Sequence, residues 1–227
     1  MQFHTAIAAV LALAGASSAN AMVVADLGAY TVSYDETTPG FGYMSASFTG
    51  GGSTYFGWNV APLVNVISLG PAAAATFALP AFTIAVNPGW VLSGAVTGFL
   101  GNLVFNEVAG GATSATLAGS ISINAGPPGP FSSPMTKTVS TMAPFVAAGT
   151  YAGSISLPLG SFSTFSSSGA TLSLTAGGGA YSSVIAQPQN ELKISFFANP
   201  VPEPETAALM LAGLLTLGSL ARRRSLG

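Results

Sequence analysis

The chain has 227 residues and a formal net charge of −2, and only 5% of its residues are charged, against roughly 25% in an ordinary soluble domain. It has no cysteine, which excludes disulfides and thiolate metal sites. Its five lysines and arginines are too few for the clustered positive charge that nucleic-acid binding requires. Aromatic residues make up 10% of the chain, a composition that disordered proteins lack, so we expect a folded protein.

Residues 1–21 are predicted to be a secretory signal peptide. Residues 6–16 form an apolar stretch, and small residues at Ala19 and Ala21 match the pattern that signal peptidase accepts, which places the cut before Met22. The segment before the apolar stretch lacks the usual Lys or Arg, which a start codon further upstream would supply. The alternative to a signal peptide is a buried N-terminal helix. We favour the signal peptide because a core helix has no use for the small-residue cleavage pattern.

The region 22–198 is predicted to be one all-β extracytoplasmic domain, either an antiparallel β-sandwich or a jelly-roll-like body. Many short strands with turn signals between them are typical of such folds. The segments with alternating side chains are 27–34, 115–123, 151–157, 170–175 and 192–197, and the apolar runs that fit buried strands are 76–86 and 90–105. Turns are predicted at 38–40, 50–52, 87–89, 110–111 and 177–179. Residues 126–134 could separate two domains, but one long loop is favoured because each side alone is small for an all-β core.

The body offers little catalytic chemistry. Between residues 22 and 201 there is no histidine and no cysteine, so Ser-His-Asp, Cys-His and ordinary zinc sites are excluded. Four carboxylates could in principle hydrolyse a glycoside, namely Asp35, Glu36, Glu107 and Glu191. Adjacent residues on a strand point to opposite faces, so Asp35 and Glu36 would not act together there. We therefore predict no enzymatic activity, no cofactor and no metal.

Two further sets of residues could bind a ligand or serve a structural role. Asp35 and Glu36 open a loop that could give oxygen ligands to calcium, but a solvated turn is favoured because no second acidic cluster is visible. Trp58 and Trp90 could stack on sugar rings, as aromatic faces do in carbohydrate-binding sandwiches. Burial in the core is favoured for both indoles, because Trp in a β-protein is more often buried.

The C-terminal region 199–227 has three successive parts. Residues 199–205 are rich in proline and cannot form a helix. Residues 206–221 are uncharged, and as a helix they would rise about 24 Å, somewhat less than the ~30 Å hydrocarbon core of a bilayer. Arg222, Arg223 and Arg224 follow and would stay on the cytoplasmic side, which leaves the body outside. A buried core helix is the alternative for 206–221, and hydropathy alone does not separate the two.

The order of Pro202-Glu203-Pro204, the apolar run and Arg222–Arg224 resembles the PEP-CTERM sorting signal. The resemblance implies a transient inner-membrane anchor, recognised by a membrane-embedded exosortase that cuts near Pro202–Pro204 after the signal peptidase and the export machinery have acted. It further implies a Gram-negative host, and a final location at the cell surface, in the outer membrane or in an extracellular matrix. The expected function is a structural protein of the cell envelope or of an extracellular matrix, associated with exopolysaccharide and biofilm. The alternative is a carbohydrate-binding β-sandwich module that acts on the matrix polysaccharide.

Overall fold

The computed structural model describes residues 22–47, 52–188, 190–202 and 208–215. Of these residues, 73% lie in β-strands and 4% in a helix, and every strand pairing is antiparallel. The all-β class predicted from the sequence is therefore confirmed.

The described strands form one seven-stranded sheet and one eight-stranded sheet. The seven-stranded sheet contains β1 (Met22–Asp26), β2 (Tyr30–Asp35), β6 (Ala73–Ala78), β7 (Phe82–Val86), β9 (Ala112–Ile123), β10 (Gly129–Pro134) and β13 (Thr164–Gly177). The eight-stranded sheet contains β3 (Phe41–Ser47), β4 (Gly52–Val60), β5 (Asn65–Ser68), β8 (Trp90–Val108), β11 (Thr136–Ala143), β12 (Val146–Phe162), β14 (Tyr181–Ala186) and β15 (Glu191–Pro200).

The two sheets share one hydrophobic core. Alternate residues of β2 are buried because successive side chains on a strand point to opposite faces. Aromatic rings from both sheets meet in this core: Phe56 lies 5.3 Å from Phe82, and Tyr30 lies 4.9 Å from Phe196, between ring centroids. These contacts across the gap make the body a two-layer structure.

The order along the eight-stranded sheet is β11-β12-β8-β15-β4-β3. Strand β8 therefore lies inside the sheet: β12 covers one of its sides, while β15 and β14 share the other, end to end. The 19-residue β8 contains Gly94, which has a φ of 82° and lies where the register of the pairing with β15 shifts. A Cβ at this position would lie 2.8 Å from the Phe197 ring, so both the backbone conformation and the close packing require glycine.

The body has two ends, which we name from the direction of β8. The exit end lies where β8 begins, at the turn 87–89 before Trp90. The far end lies where β8 finishes, at the turn that follows Val108, and it also holds the β11–β12 connection. There the backbone N–H of Ala109 donates to the carbonyl of Phe145 at 2.7 Å, which joins the two connections.

Most predicted strands and turns lie where the alternation placed them, with two corrections. Residues 126–134 are not one long loop, because β10 occupies Gly129–Pro134 and pairs with β9 along its whole length. Segment 76–86 is not one strand. Pro80 has no N–H to donate, and the strand is interrupted there, so β6 ends before it and β7 begins after it. These two short strands lie end to end along the same side of β13.

Candidate functional site: the junction between body and tail

Strand β15 carries the chain from the centre of the body to the proline-rich segment. It lies between β8 and β4, with Ile194 opposite Gly98 on one side and opposite Phe56 on the other. Phe196 and Ala198 are fully buried, because the inward face of this strand belongs to the common core. The tail is thus attached to a central strand of the eight-stranded sheet, which makes its point of departure rigid.

The junction itself lies within the sheet. Asn199 pairs with Val91, Pro200 pairs with Trp90, and the backbone N–H of Val201 donates to the carbonyl of Gly89 at 2.8 Å. Proline has no backbone N–H, and the last position of β15 tolerates it because the N–H of Val201, the next residue, makes the hydrogen bond to the neighbouring turn. The boundary predicted after residue 198 stays a prediction, and residues 199–201 on its C-terminal side are hydrogen-bonded to the body or paired with it.

Of the predicted sorting residues, only Pro202 is described, and it is exposed directly after Val201. Glu203, Pro204, Arg222, Arg223 and Arg224 lie outside the described residues, as do Ala19 and Ala21 of the predicted signal-peptidase site. Met22, the predicted mature N-terminus, is the first residue of β1.

Part of the predicted membrane segment is described. Residues 208–215 are helical, and the side chains of this stretch are exposed. Within the described ranges, no helix combines the length and the hydropathy needed to cross a bilayer. The spanning helix over 206–221 stays a prediction.

Trp58 does not fit the alternative role of stacking on a sugar ring. Its side chain is 1% exposed and its ring lies against Tyr34, Phe56 and Phe82, with centroid distances of 5.9, 5.5 and 5.7 Å. Among the described residues its Nε1 has no hydrogen-bond partner. The indole is enclosed by core aromatics, so no face is open to a ligand.

Trp90 differs from Trp58 in its surroundings. It is half-buried at the start of β8 and lines a shallow groove at the exit end. Polar side chains border the same groove, namely those of Asn124, Ser161 and Ser163. The Asn124 side-chain oxygen accepts hydrogen bonds from the backbone N–H and the hydroxyl of Ser163, at 2.8 and 3.1 Å, which fixes this border. Of the two tryptophans, Trp90 alone retains access to a ligand.

Glu107 has a structural environment rather than a catalytic one. It is 8% exposed, its carboxylate accepts hydrogen bonds from Lys137 Nζ at 2.5 Å and from Thr113 Oγ1 at 2.7 Å, and Tyr151 donates to the Thr113 carbonyl. The Lys137 ammonium also lies 4.5 Å from the centre of the Phe105 ring. Burial alone raises the pKa of Glu107, but the bonds from Lys137 and Thr113 outweigh burial and leave the pKa below its usual value.

This polar cluster of Glu107, Thr113, Lys137 and Tyr151 joins strands of both sheets near the far end. Sequence inspection missed it, because Glu107 and Lys137 are 30 positions apart and come together only through the pairing of β11, β12 and β8. The one available signal was that the body has only two lysines, Lys137 and Lys193, for its carboxylates.

The other acidic residues lie elsewhere in the fold. Asp35 ends β2, and its carboxylate accepts hydrogen bonds from the Thr37 N–H at 2.9 Å and the Thr37 hydroxyl at 2.7 Å, which is the geometry of a local turn. Glu36 follows in that turn, and Glu191 begins β15. In the part of the chain that the structure describes, no three acidic or histidine side chains are grouped as metal ligands.

Comparison with known families gives one match. Residues 200–225 match the PEP-CTERM protein-sorting motif. The match begins at Pro200, the last residue of β15, so motif and body overlap by one residue. No curated protein and no solved structure matches the chain.

Proposed function

We propose that the protein is a non-enzymatic structural protein of the bacterial cell envelope or extracellular matrix, released from the inner membrane by an exosortase. The observation that carries the proposal is the PEP-CTERM motif at residues 200–225, which implies an exported protein that an exosortase processes. The association with exopolysaccharide and biofilm is part of the proposal.

The residues of the tail support a temporary anchor. The uncharged run 206–221 would halt export, and Arg222, Arg223 and Arg224 resist translocation and stay in the cytoplasm. Pro202 and Pro204 keep the motif out of the helix. Proteases bind their substrates in an extended conformation, and these prolines would keep the motif extended just outside the membrane.

Several features of the body support a structural role. Polar groups are mostly hydroxyls and backbone amides, and few side chains can titrate near neutral pH. The carboxylates described above serve contacts inside the fold, such as the bond of Glu107 to Lys137 and the turn at Asp35. General acid–base chemistry needs a titratable pair that faces a cleft, and such a pair is not evident in the described body.

Two tags test release. One tag is placed after Gly227 and the other in the exposed connection at residues 127–128, and both are followed by fractionation of the native host. In a host with a working exosortase we expect the two tags on separate polypeptides. Alanine at Pro202, Glu203 and Pro204 should leave insertion intact and keep both tags in the inner membrane, while serine at Arg222–Arg224 should weaken the halt in export. Two tags that stay on one wild-type chain would refute the proposal.

A carbohydrate-binding role is a second candidate, favoured by the groove at Trp90. Sugar recognition combines an aromatic face with a few polar groups, and Trp90 lies beside Asn124, Ser161 and Ser163. Trp90→Ala should abolish retention of the purified body on matrix polysaccharide. Phe145→Ala, which removes an exposed aromatic at the far end, is the matched control and should have no effect. Equal retention of the Trp90 variant and the wild type would leave only the structural role.

A further inference from the structure

We propose that the exosortase contacts the exit end of the folded body while it cuts the tail. This inference rests on the proposed processing and assigns a surface to it. The surface consists of Pro88, Gly89, Trp90, Ser161 and Ser163, and we call it the exit face. Pro88, Gly89, Ser161 and Ser163 are exposed, while Trp90 is half-buried beside them.

The argument starts from the length of free chain. Val201 is bonded through its N–H to Gly89 in the exit face, and Pro202 follows at once. A residue spans at most about 3.6 Å, so the Glu203–Pro204 bond lies no further than about 11 Å from Val201. A protease encloses several residues on each side of the bond it cuts. Its walls must therefore meet the exit face unless the end of β15 first leaves the sheet.

Leaving the sheet is opposed by the position of β15. The strand is paired on both sides through Ala198, and Phe196 and Ala198 are fully buried. Pulling residues 199–201 away would break the contact with Gly89 and loosen the pairing with Val91 and Trp90. The folded body consequently keeps its shape during processing, and the cut falls after Val201.

The enzyme, rather than the lipid surface, is the partner that this geometry requires. The predicted membrane segment begins at residue 206, so the short connection keeps the exit face near the bilayer as well. Cutting the tail nevertheless requires the enzyme to enclose the residues next to Val201, whereas contact with lipid depends on charge. Next to the exit face, the carboxylate of Asp26 accepts a hydrogen bond from the Asn87 side-chain amide at 2.9 Å. Charge can therefore separate the two partners: added charge of either sign should obstruct an enzyme, whereas an anionic lipid surface would attract Arg and repel Glu.

The test uses the full-length protein in its host and measures the rate of tail release by pulse-chase. Pro88→Arg and Pro88→Glu place a charged side chain on the exit face, and Pro144→Arg makes the same change in an exposed turn at the far end. We expect both Pro88 variants to slow release by about tenfold, equivalent to roughly 1.4 kcal/mol, and Pro144→Arg to release at the wild-type rate. Inserting Gly-Ser-Gly-Ser-Gly-Ser between Val201 and Pro202 should restore the rate of the Pro88 variants.

The outcomes separate this inference from the proposed function. Absence of release in the wild type refutes the processing itself. Normal release with wild-type rates in both Pro88 variants overturns the contact with the exit face. Opposite effects of Arg and Glu would assign the surface to the membrane and overturn the enzyme contact. Mass measurement of the released body supplies a further check: a C-terminus upstream of Val201 would show that β15 leaves the sheet before cleavage.

Discussion

The centre and the far end of the body hold the two sheets together by different means. In the centre, aromatic rings from both sheets pack together, and Phe56 meets both Trp58 and Phe82 edge to face. Near the far end, Glu107, Thr113, Lys137 and Tyr151 form charged and neutral hydrogen bonds. Apolar packing contributes in proportion to buried area, whereas the hydrogen bonds require particular partners at particular distances. Stability should therefore come mainly from the centre, and sensitivity to pH mainly from the far end.

The largest effect should follow from removing a central ring. Trp58→Ala leaves a cavity among Tyr34, Phe56 and Phe82 and should lower the free energy of unfolding by about 3–5 kcal/mol. Trp58→Phe should cost less than half as much, because it also removes an Nε1 that has no partner among the described residues. Urea denaturation of the purified body measures both values. Equal losses for Ala and Phe would contradict the cavity as the source of the destabilisation.

A smaller loss is expected from the polar cluster. Glu107→Gln removes the charge that Lys137 faces and should cost about 1–2 kcal/mol. The cost stays below that of a fully buried pair because the Lys137 side chain is 33% exposed and can reach water. Lys137→Gln and the double variant complete a double-mutant cycle. If the two single losses add without coupling, the cluster does not hold the far end together.

Acid should act on the far end before the centre. The pKa of Glu107 is lowered in the folded state, so its contribution to stability is complete above the unfolded value of about 4.3 and is lost as the pH falls through the folded pKa. Denaturation midpoints measured from about pH 6 down to pH 3 should fall more steeply in the wild type than in Glu107→Gln. Parallel curves for the two proteins would place the acid sensitivity at another carboxylate.

The smallest effect concerns backbone strain at the far end. Phe145 has a φ of 69° and is 79% exposed, so its side chain gains little from packing while its backbone adopts a conformation that favours glycine. Phe145→Gly should raise the free energy of unfolding by about 0.5–1 kcal/mol relative to Phe145→Ala, which keeps the strain. A lower stability for the glycine variant would show that the ring stabilises the turn.

Sequence patterns predicted the strands well, because alternation is a local property of the chain. Segment 192–197 lies inside β15, and 115–123 lies inside β9. Pairing between distant strands is a different matter, and the Glu107–Lys137 contact could not be seen before the sheet order was known. Composition likewise did not distinguish Trp58 from Trp90, since one lies inside a sheet among rings and the other begins a strand at an open end.

In the candidate site, too, the part formed by consecutive residues was predicted and the part formed by distant residues was not. The order of Pro202-Glu203-Pro204, the apolar run and the arginines is carried by consecutive residues, so the sorting motif was found from the sequence alone. The attachment of the motif to the body was not found from the sequence, because the proline at position 200 favoured a linker. Proline excludes only the donor of one residue, and the pairing of Pro200 with Trp90 needs no donor from it.

The position of β15 also sets the order in which the protein can assemble. It is the last strand along the described chain, yet it lies between β8 and β4, which precede it by about a hundred residues or more. The eight-stranded sheet therefore stays split until residues 191–200 have crossed the membrane, and contacts between such distant segments form slowly. A chain that enters the export channel from its N-terminus thus remains without its central strand for almost the whole passage. The eight-stranded sheet is therefore completed only when residues 191–200, which directly precede the sorting motif, have emerged.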